Sequence, residues 1–261
     1  MTQSILTGVL NQIGPGHIFG FFLVLARISP LFVLAPLFSS QMLPTQARTI
    51  MAVALSIGMT PIAMHGQAVP SDPLIIALLF VTNALTGLGF ALAVSAVIAA
   101  VSSAGALLDV VAGFSYGQLI NPMDGAAGGT LTNLYSLVGL ALFIAIGGDA
   151  YMLRGIEHTF VLVPLTGAPQ IGSLAAGIVN AASTIFISAL ELAAPALLAL
   201  LITDIAFGMV SRVMPQLNIF AVGFPLKIGV ALLVVAAGLP FMGGFLSNQV
   251  VTAVTSALQT V

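Results

Sequence analysis

Long apolar runs separated by short polar clusters organise this chain. Residues 28–47, 49–71, 73–108, 125–148, 158–190 and 228–261 contain no Asp, Glu, Lys or Arg. A membrane-crossing helix needs about 20 apolar residues. Trimmed at prolines and polar clusters, the runs predict helices near 17–38, 46–64, 74–108, 130–148, 172–208 and 217–239, with a weaker seventh over 241–259. The runs are rich in Ala and Leu and lack the two-residue alternation of a barrel strand, which favours helix. The expected fold is all-α: one membrane-associated, multi-helix domain over 1–261, with about six long, kinked or broken helices.

Two of these helices, 74–108 and 172–208, exceed bilayer thickness, since at about 1.5 Å per residue each would extend roughly 50 Å or more. Such helices either break or continue beyond the hydrocarbon layer. Pro195 supplies a break in the second, because proline cannot donate the i→i−4 hydrogen bond. Pro30 and Pro36 predict a kink or division in the first helix for the same reason.

Composition sharpens the picture. The chain is 59% hydrophobic and 5% charged, with a mean hydropathy of +1.20, whereas a soluble domain has roughly 25% charged residues. Five basic and seven acidic side chains cannot cover a globular surface of this length. Its solvent is therefore lipid, equally apolar protein, or both. A net charge of −2 offers no argument for a nucleic-acid partner. Cysteine is absent, which excludes disulfides and thiol chemistry. The start, MTQSILTGVLNQIGPGH, lacks the basic region of a cleaved signal peptide and reads as mature protein. Arg48 and Arg212 fall on one side of a six-helix layout and Arg154 on the other, so the positive-inside rule gives no orientation.

Candidate chemistry is sparse. Gly113-Phe114-Ser115-Tyr116-Gly117 fits the G-x-S-x-G pattern, and Asp149 and His158 follow in hydrolase order. That pattern needs a strand before the serine, however, and the preceding run reads as helix. His17, His65 and His158 show no metal-ligand spacing, and no phosphate-cradling loop is present, so no metal or cofactor is expected. Arg27, Glu191 and Asp204 lie inside apolar runs, where ionisable groups face protein or water. Glu191 and Asp204 do not share one helix face, which favours structural roles over a relay. The stretch 109–129, DVVAGFSYGQLINPMDGAAGG, is irregular between two apolar helices. It is either a solvent-exposed loop or a re-entrant constriction buried in protein.

One polar interruption is more specific. In SRVMPQLNIFAVGFPLK, residues 211–227, the elements Ser211-Arg212, Pro215-Gln216, Asn218, Phe220 and Gly223-Phe224-Pro225-Leu226-Lys227 resemble the signature of the FliR family. These are the R-type subunits of the flagellar type III export gate, related to the T-type subunits of injectisomes. Arg27, Pro30, Pro36, Asp109, the glycine-rich segment before Asn121-Pro122, and Pro164 agree with the resemblance, which covers nearly the whole chain. Asp149 departs from it, at a place where relatives often carry His.

The resemblance implies a P-type-like part over 1–165 and a Q-type-like helix hairpin over 172–261. It implies one copy closing a helical assembly of P- and Q-type subunits, with B- and A-type apparatus proteins and exported flagellar proteins as further partners. It places the chain in the bacterial inner membrane at the flagellar basal body, with part of the gate raised toward the periplasm. A plug is expected within 110–124, with Gly113, Phe114, Ser115, Tyr116, Gly117, Leu119, Ile120 and Met123 as its residues. Bulky apolar groups there would exclude water and ions. Residues 211–227 are expected as the turn between the Q-like helices, with Arg212, Pro215, Gln216, Asn218, Phe220, Gly223, Pro225 and Lys227 making subunit contacts. The residues alone leave three classes: a non-catalytic gate subunit, an ion-coupled secondary transporter, and an intramembrane serine hydrolase.

Overall fold

The computed structural model describes residues 15–35, 38, 44–65, 67, 70, 72–115, 129–214, 216 and 219–260. Among them every regular element is α-helical and no strand is present. In chain order the helices are α1 (Pro15–Leu34), α2 (Thr45–Ala63), α3 (Pro73–Ala112), α4 (Thr130–Ala145), α5 (Gly148–Leu162), α6 (Ile171–Val213) and α7 (Ile219–Thr260). Four of them, α1, α3, α6 and α7, are long and apolar enough to cross a membrane. α4 and α5 reach that length only together, as a bent pair.

Three boundaries differ from the sequence reading. α6 runs unbroken through Pro195, and α7 runs through Pro225 and Pro240, merging the segments expected at 217–239 and 241–259. One proline removes one helix bond. A full break in an apolar setting would orphan several backbone groups with no water to satisfy them, so continuity is the cheaper solution. The turn expected over 211–227 is correspondingly narrow, because α6 ends at Val213 and α7 begins at Ile219.

The third difference is α5. Its Asp149, Arg154 and Glu157 interrupt the uncharged pattern and were expected to mark a connection. They instead belong to an amphipathic helix: Asp149 is half-buried in its first turn, and Arg154 and Glu157 are exposed on one face, with Met152, Gly155, Ile156, Thr159 and Phe160 buried on another. The chain turns between α4 and α5 at Gly147, whose φ of +74° is a left-handed conformation that suits glycine.

The chain divides into two compact units, interleaved along the sequence. One gathers Met1–Ser95, Asp149–Ala181 and Val250–Val261, and the other Ala96–Gly148 and Ala182–Gln249. This partition concerns compactness; the division at 165 and 172 concerns resemblance to separate subunits.

In the first unit α1 packs on α2 and on the N-terminal half of α3. Gly87 of α3 is in closest approach to α1: a Cβ there would land on the backbone carbonyl of Arg27. The core of this unit includes Leu23, Ile28, Leu31, Phe90, Ile156 and Leu165, all fully buried. In the second unit the end of α3 packs antiparallel to α4. A Cβ on Gly105 would meet the Leu131 carbonyl oxygen and the Thr132 Cα at 2.7 Å, while Ser102 Oγ and Ser136 Oγ share a hydrogen bond of 2.9 Å.

Candidate functional site

The second unit holds the stem of the expected plug. Gly113 is buried with φ +92°, and Phe114 and Ser115 are half-buried. Tyr116, Gly117, Leu119, Ile120 and Met123 lie outside the described residues. Ser115 follows the helix α3 and not a strand, so the geometry of a hydrolase nucleophile turn is not formed there.

Asp109, in the last turn of α3, joins the two sides of this segment. It is 1% exposed. Its Oδ1 accepts the Leu131 N–H at 2.8 Å, and its Oδ2 accepts the Thr132 N–H at 2.8 Å and the Thr132 hydroxyl at 2.6 Å. Leu131 and Thr132 are the second and third residues of α4, whose N–H groups have no partner within the helix. A residue at the N-cap normally supplies that acceptor. Here the N-cap is Gly129, which has no side chain to offer, and a Cβ there would collide with the Asp109 carboxylate. A carboxylate twenty residues upstream of the cap therefore does the capping, favoured by the positive end of the helix dipole.

In the first unit Arg27 forms the counterpart. Its guanidinium is fully buried in the middle of α1. Nε and Nη2 donate to Asn83 Oδ1 at 2.9 and 2.6 Å, and Nη1 donates to the carbonyls of Thr159 and Val163 at 2.9 and 2.7 Å. The Phe160 ring centroid lies 4.6 Å from the guanidinium carbon. The Thr159 and Val163 carbonyls close the C-terminus of α5, the negative end of its dipole, so the cation caps that helix. Asn83 completes the cluster by donating to the carbonyls of Leu79 and Leu165, at 2.7 and 2.9 Å. The sequence pointed to Arg27 as a buried charge but missed Asn83. An amide within the apolar run 73–108 was the available signal.

The motif at 211–227 is partly visible. Arg212 sits exposed in the last turn of α6, Gln216 is exposed, Gly223 is buried and Pro225 is exposed within α7. Pro215 and Asn218 lie outside the described residues, as does the side chain of Phe220. Lys227 pairs with Asp204 of α6 at 2.8 Å, tying the two helices together. Asp204 thus has a structural partner, and Glu191 is exposed on α6. His17 and His65, treated separately in the sequence reading, line one open cavity of about 670 Å³ with Phe21, Thr60 and Met64.

Comparison with known proteins fits this arrangement. The family model described as bacterial export proteins, family 1, matches residues 18–253. The flagellar biosynthetic protein FliR of Bacillus subtilis (strain 168) is 33% identical over 214 residues, which cover 81% of this chain and 82% of the relative. The FliR protein of Escherichia coli (strain K12) is 27% identical over 225 residues, 86% of each chain. The surface presentation of antigens protein SpaR of Salmonella typhimurium is 25% identical over 211 residues, covering 80% of this chain and 78% of the relative. The chain belongs to family 1 of the bacterial export proteins, in the FliR family.

Proposed function

We propose that this chain is a structural subunit of the flagellar type III protein export gate, lining and plugging a passage for unfolded flagellar proteins without catalysing a reaction. The observation that carries the reading, beside family membership, is the state of α6 and α7. They contain 43 and 42 residues, about 60 Å each at 1.5 Å per residue, against a hydrocarbon core of about 30 Å. Only 28% and 17% of their membrane-length windows are buried within the chain. Apolar side chains such as Phe186, Ile202, Leu233 and Phe241 stand exposed along them. Lipid of ordinary thickness cannot cover helices of this length, whereas sibling subunits with matching helices can.

On this reading the partners are P- and Q-type subunits, with this chain as one copy, together with B- and A-type apparatus proteins and exported substrates. The assembly sits in the inner membrane, with part of it raised toward the periplasm. Residues 113–123 supply the plug: Phe114 and its apolar neighbours exclude water and ions from an idle passage. Deleting residues 113–120 tests this assignment. The truncated gate should conduct ions at rest while still assembling, and resting conductance equal to wild type would refute the plug.

A further inference from the structure

We propose that Glu191 is a docking point for a cationic side chain, lysine or arginine, carried by an apolar helix of a sibling subunit laid along the exposed face of α6. The inference rests on the gate reading above for the existence of siblings. The face itself is defined within this chain.

Glu191 stands midway along α6. Ile187, Leu198 and Ile202 lie within about 40° of it around the helix, and all three are more than half exposed. Glu191 is exposed too, and among the described residues its carboxylate has no ion-pair or hydrogen-bond partner. Asp204, on the same helix, is handled differently. It lies roughly 140° away around α6 and is paired within the chain with Lys227 at 2.8 Å. Asn180 and Thr184, toward the N-terminal end of the Glu191 face, each have an interaction of their own. Pro195, one turn beyond Glu191 and also exposed, has no N–H, so the Glu191 carbonyl lacks the donor that a regular helix supplies from that position. A charged acceptor and a backbone acceptor therefore occur together on a face that is otherwise apolar.

The possible coverings of this face differ in what they do for the carboxylate. Hydrocarbon suits Ile187, Leu198 and Ile202 but strands the charge, which is costly in lipid. Water solvates the charge but wets the three apolar side chains above and below it. An apolar helix with one cation at the matching level satisfies both demands. Lysine brings three donors and arginine five, each with a positive charge, whereas a hydroxyl brings one donor and no charge. Such a pair also fixes register: a sibling displaced by one turn along α6 would leave both charges unpaired in an apolar interface.

The test uses the full chain in its native assembly. A benzophenone amino acid in place of Ile187 or Leu198 identifies by cross-linking what covers the face. Tagged chains carrying Glu191→Gln or Glu191→Lys report how much sibling subunit co-purifies. The cross-link should reach a sibling helix with a lysine or arginine within one turn of the adduct. Glu191→Lys should lower sibling recovery about tenfold or more, a loss of ~1.4 kcal/mol, and Glu191→Gln, which keeps an acceptor without the charge, should lower it less. Changing the identified cation to glutamate should restore recovery in Glu191→Lys. Where Glu191→Lys does not accumulate alone, its accumulation on that reversal carries the same expectation, and failure to recover overturns it. Cross-links to lipid alone, cross-links to a sibling segment without a cation, or wild-type recovery in Glu191→Lys overturn the docking point and spare the gate reading. A wild-type chain that brings no sibling with it refutes the gate reading and the docking point together.

Discussion

The cluster around Arg27 allows a stability prediction to be worked in detail. The perturbation is Asn83→Leu, which keeps the branched skeleton of the side chain but replaces the amide oxygen and nitrogen by methyl groups. Arg27 and Asn83 are both fully buried, and the oxygen that is lost accepts two bonds from the guanidinium, at 2.9 and 2.6 Å. Hydrogen bonds to charged groups contribute about 1.5–3 kcal/mol each. The Leu165 carbonyl loses its donor as well. Leaving a buried charge short of partners costs about 3–5 kcal/mol in other proteins, and a cost of about 4 kcal/mol is expected here. For a chain of this size each kcal/mol lowers Tm by roughly 2–4 °C, so the drop should be on the order of 10 °C.

Thermal unfolding of the purified, detergent-solubilised assembly measures it. Adding Arg27→Met makes the comparison diagnostic. Methionine fills the channel of the arginine stem without a charge, so the Asn83→Leu lesion has nothing left to strand. The double variant should be more stable than the sum of the single effects predicts, with a coupling of about 2 kcal/mol. Additive effects, or an Asn83→Leu variant within about 0.5 kcal/mol of wild type, would refute the claim that the guanidinium depends on this amide.

Further predictions follow from contacts elsewhere. Gly87→Val should block the approach of α3 to α1, because its Cβ would meet the Arg27 backbone carbonyl and not a yielding side chain. Backbone would have to move, so the variant should fall well below wild-type abundance in membranes by immunoblot, while Gly58→Val, with open space around it, should not. Lys227→Ala should cost at most about 1 kcal/mol, since Asp204 is 47% exposed and the pair is partly solvated. A Tm shift above roughly 5 °C would assign Lys227 a partner beyond Asp204.

Much of the helical architecture was legible because apolar length is a strong signal in a chain with so few charges. The seven elements differ from the expected ones mainly where a single residue type was given too much weight. Pro195 and Pro240 were read as breaks, yet each removes one donor and leaves the rest of the ladder in place. Asp149, Arg154 and Glu157 were read as the end of an apolar run, although the spacing of Met152, Ile156, Thr159 and Phe160 already carried a helical face. The candidate site was legible in one half only. Arg27 and Asp109 stand out in sequence as charges within or beside apolar runs. Their acceptors and donors do not, because these are mostly backbone groups far along the chain, such as the Val163 carbonyl and the Leu131 N–H. Every residue has such groups, so no letter of the sequence marks which are used.

The way these two ions are accommodated has a consequence for handling the protein. Among the described residues neither Arg27 nor Asp109 faces an oppositely charged side chain in its cluster; each is held by the end of a helix and by neutral amides or hydroxyls out of reach of dissolved electrolyte. Mobile counter-ions screen charges that water can reach, over about 10 Å at 0.1 M. Concentrated brine that strips peripheral partners should therefore pass over this interior unnoticed, leaving both helix ends intact after washing.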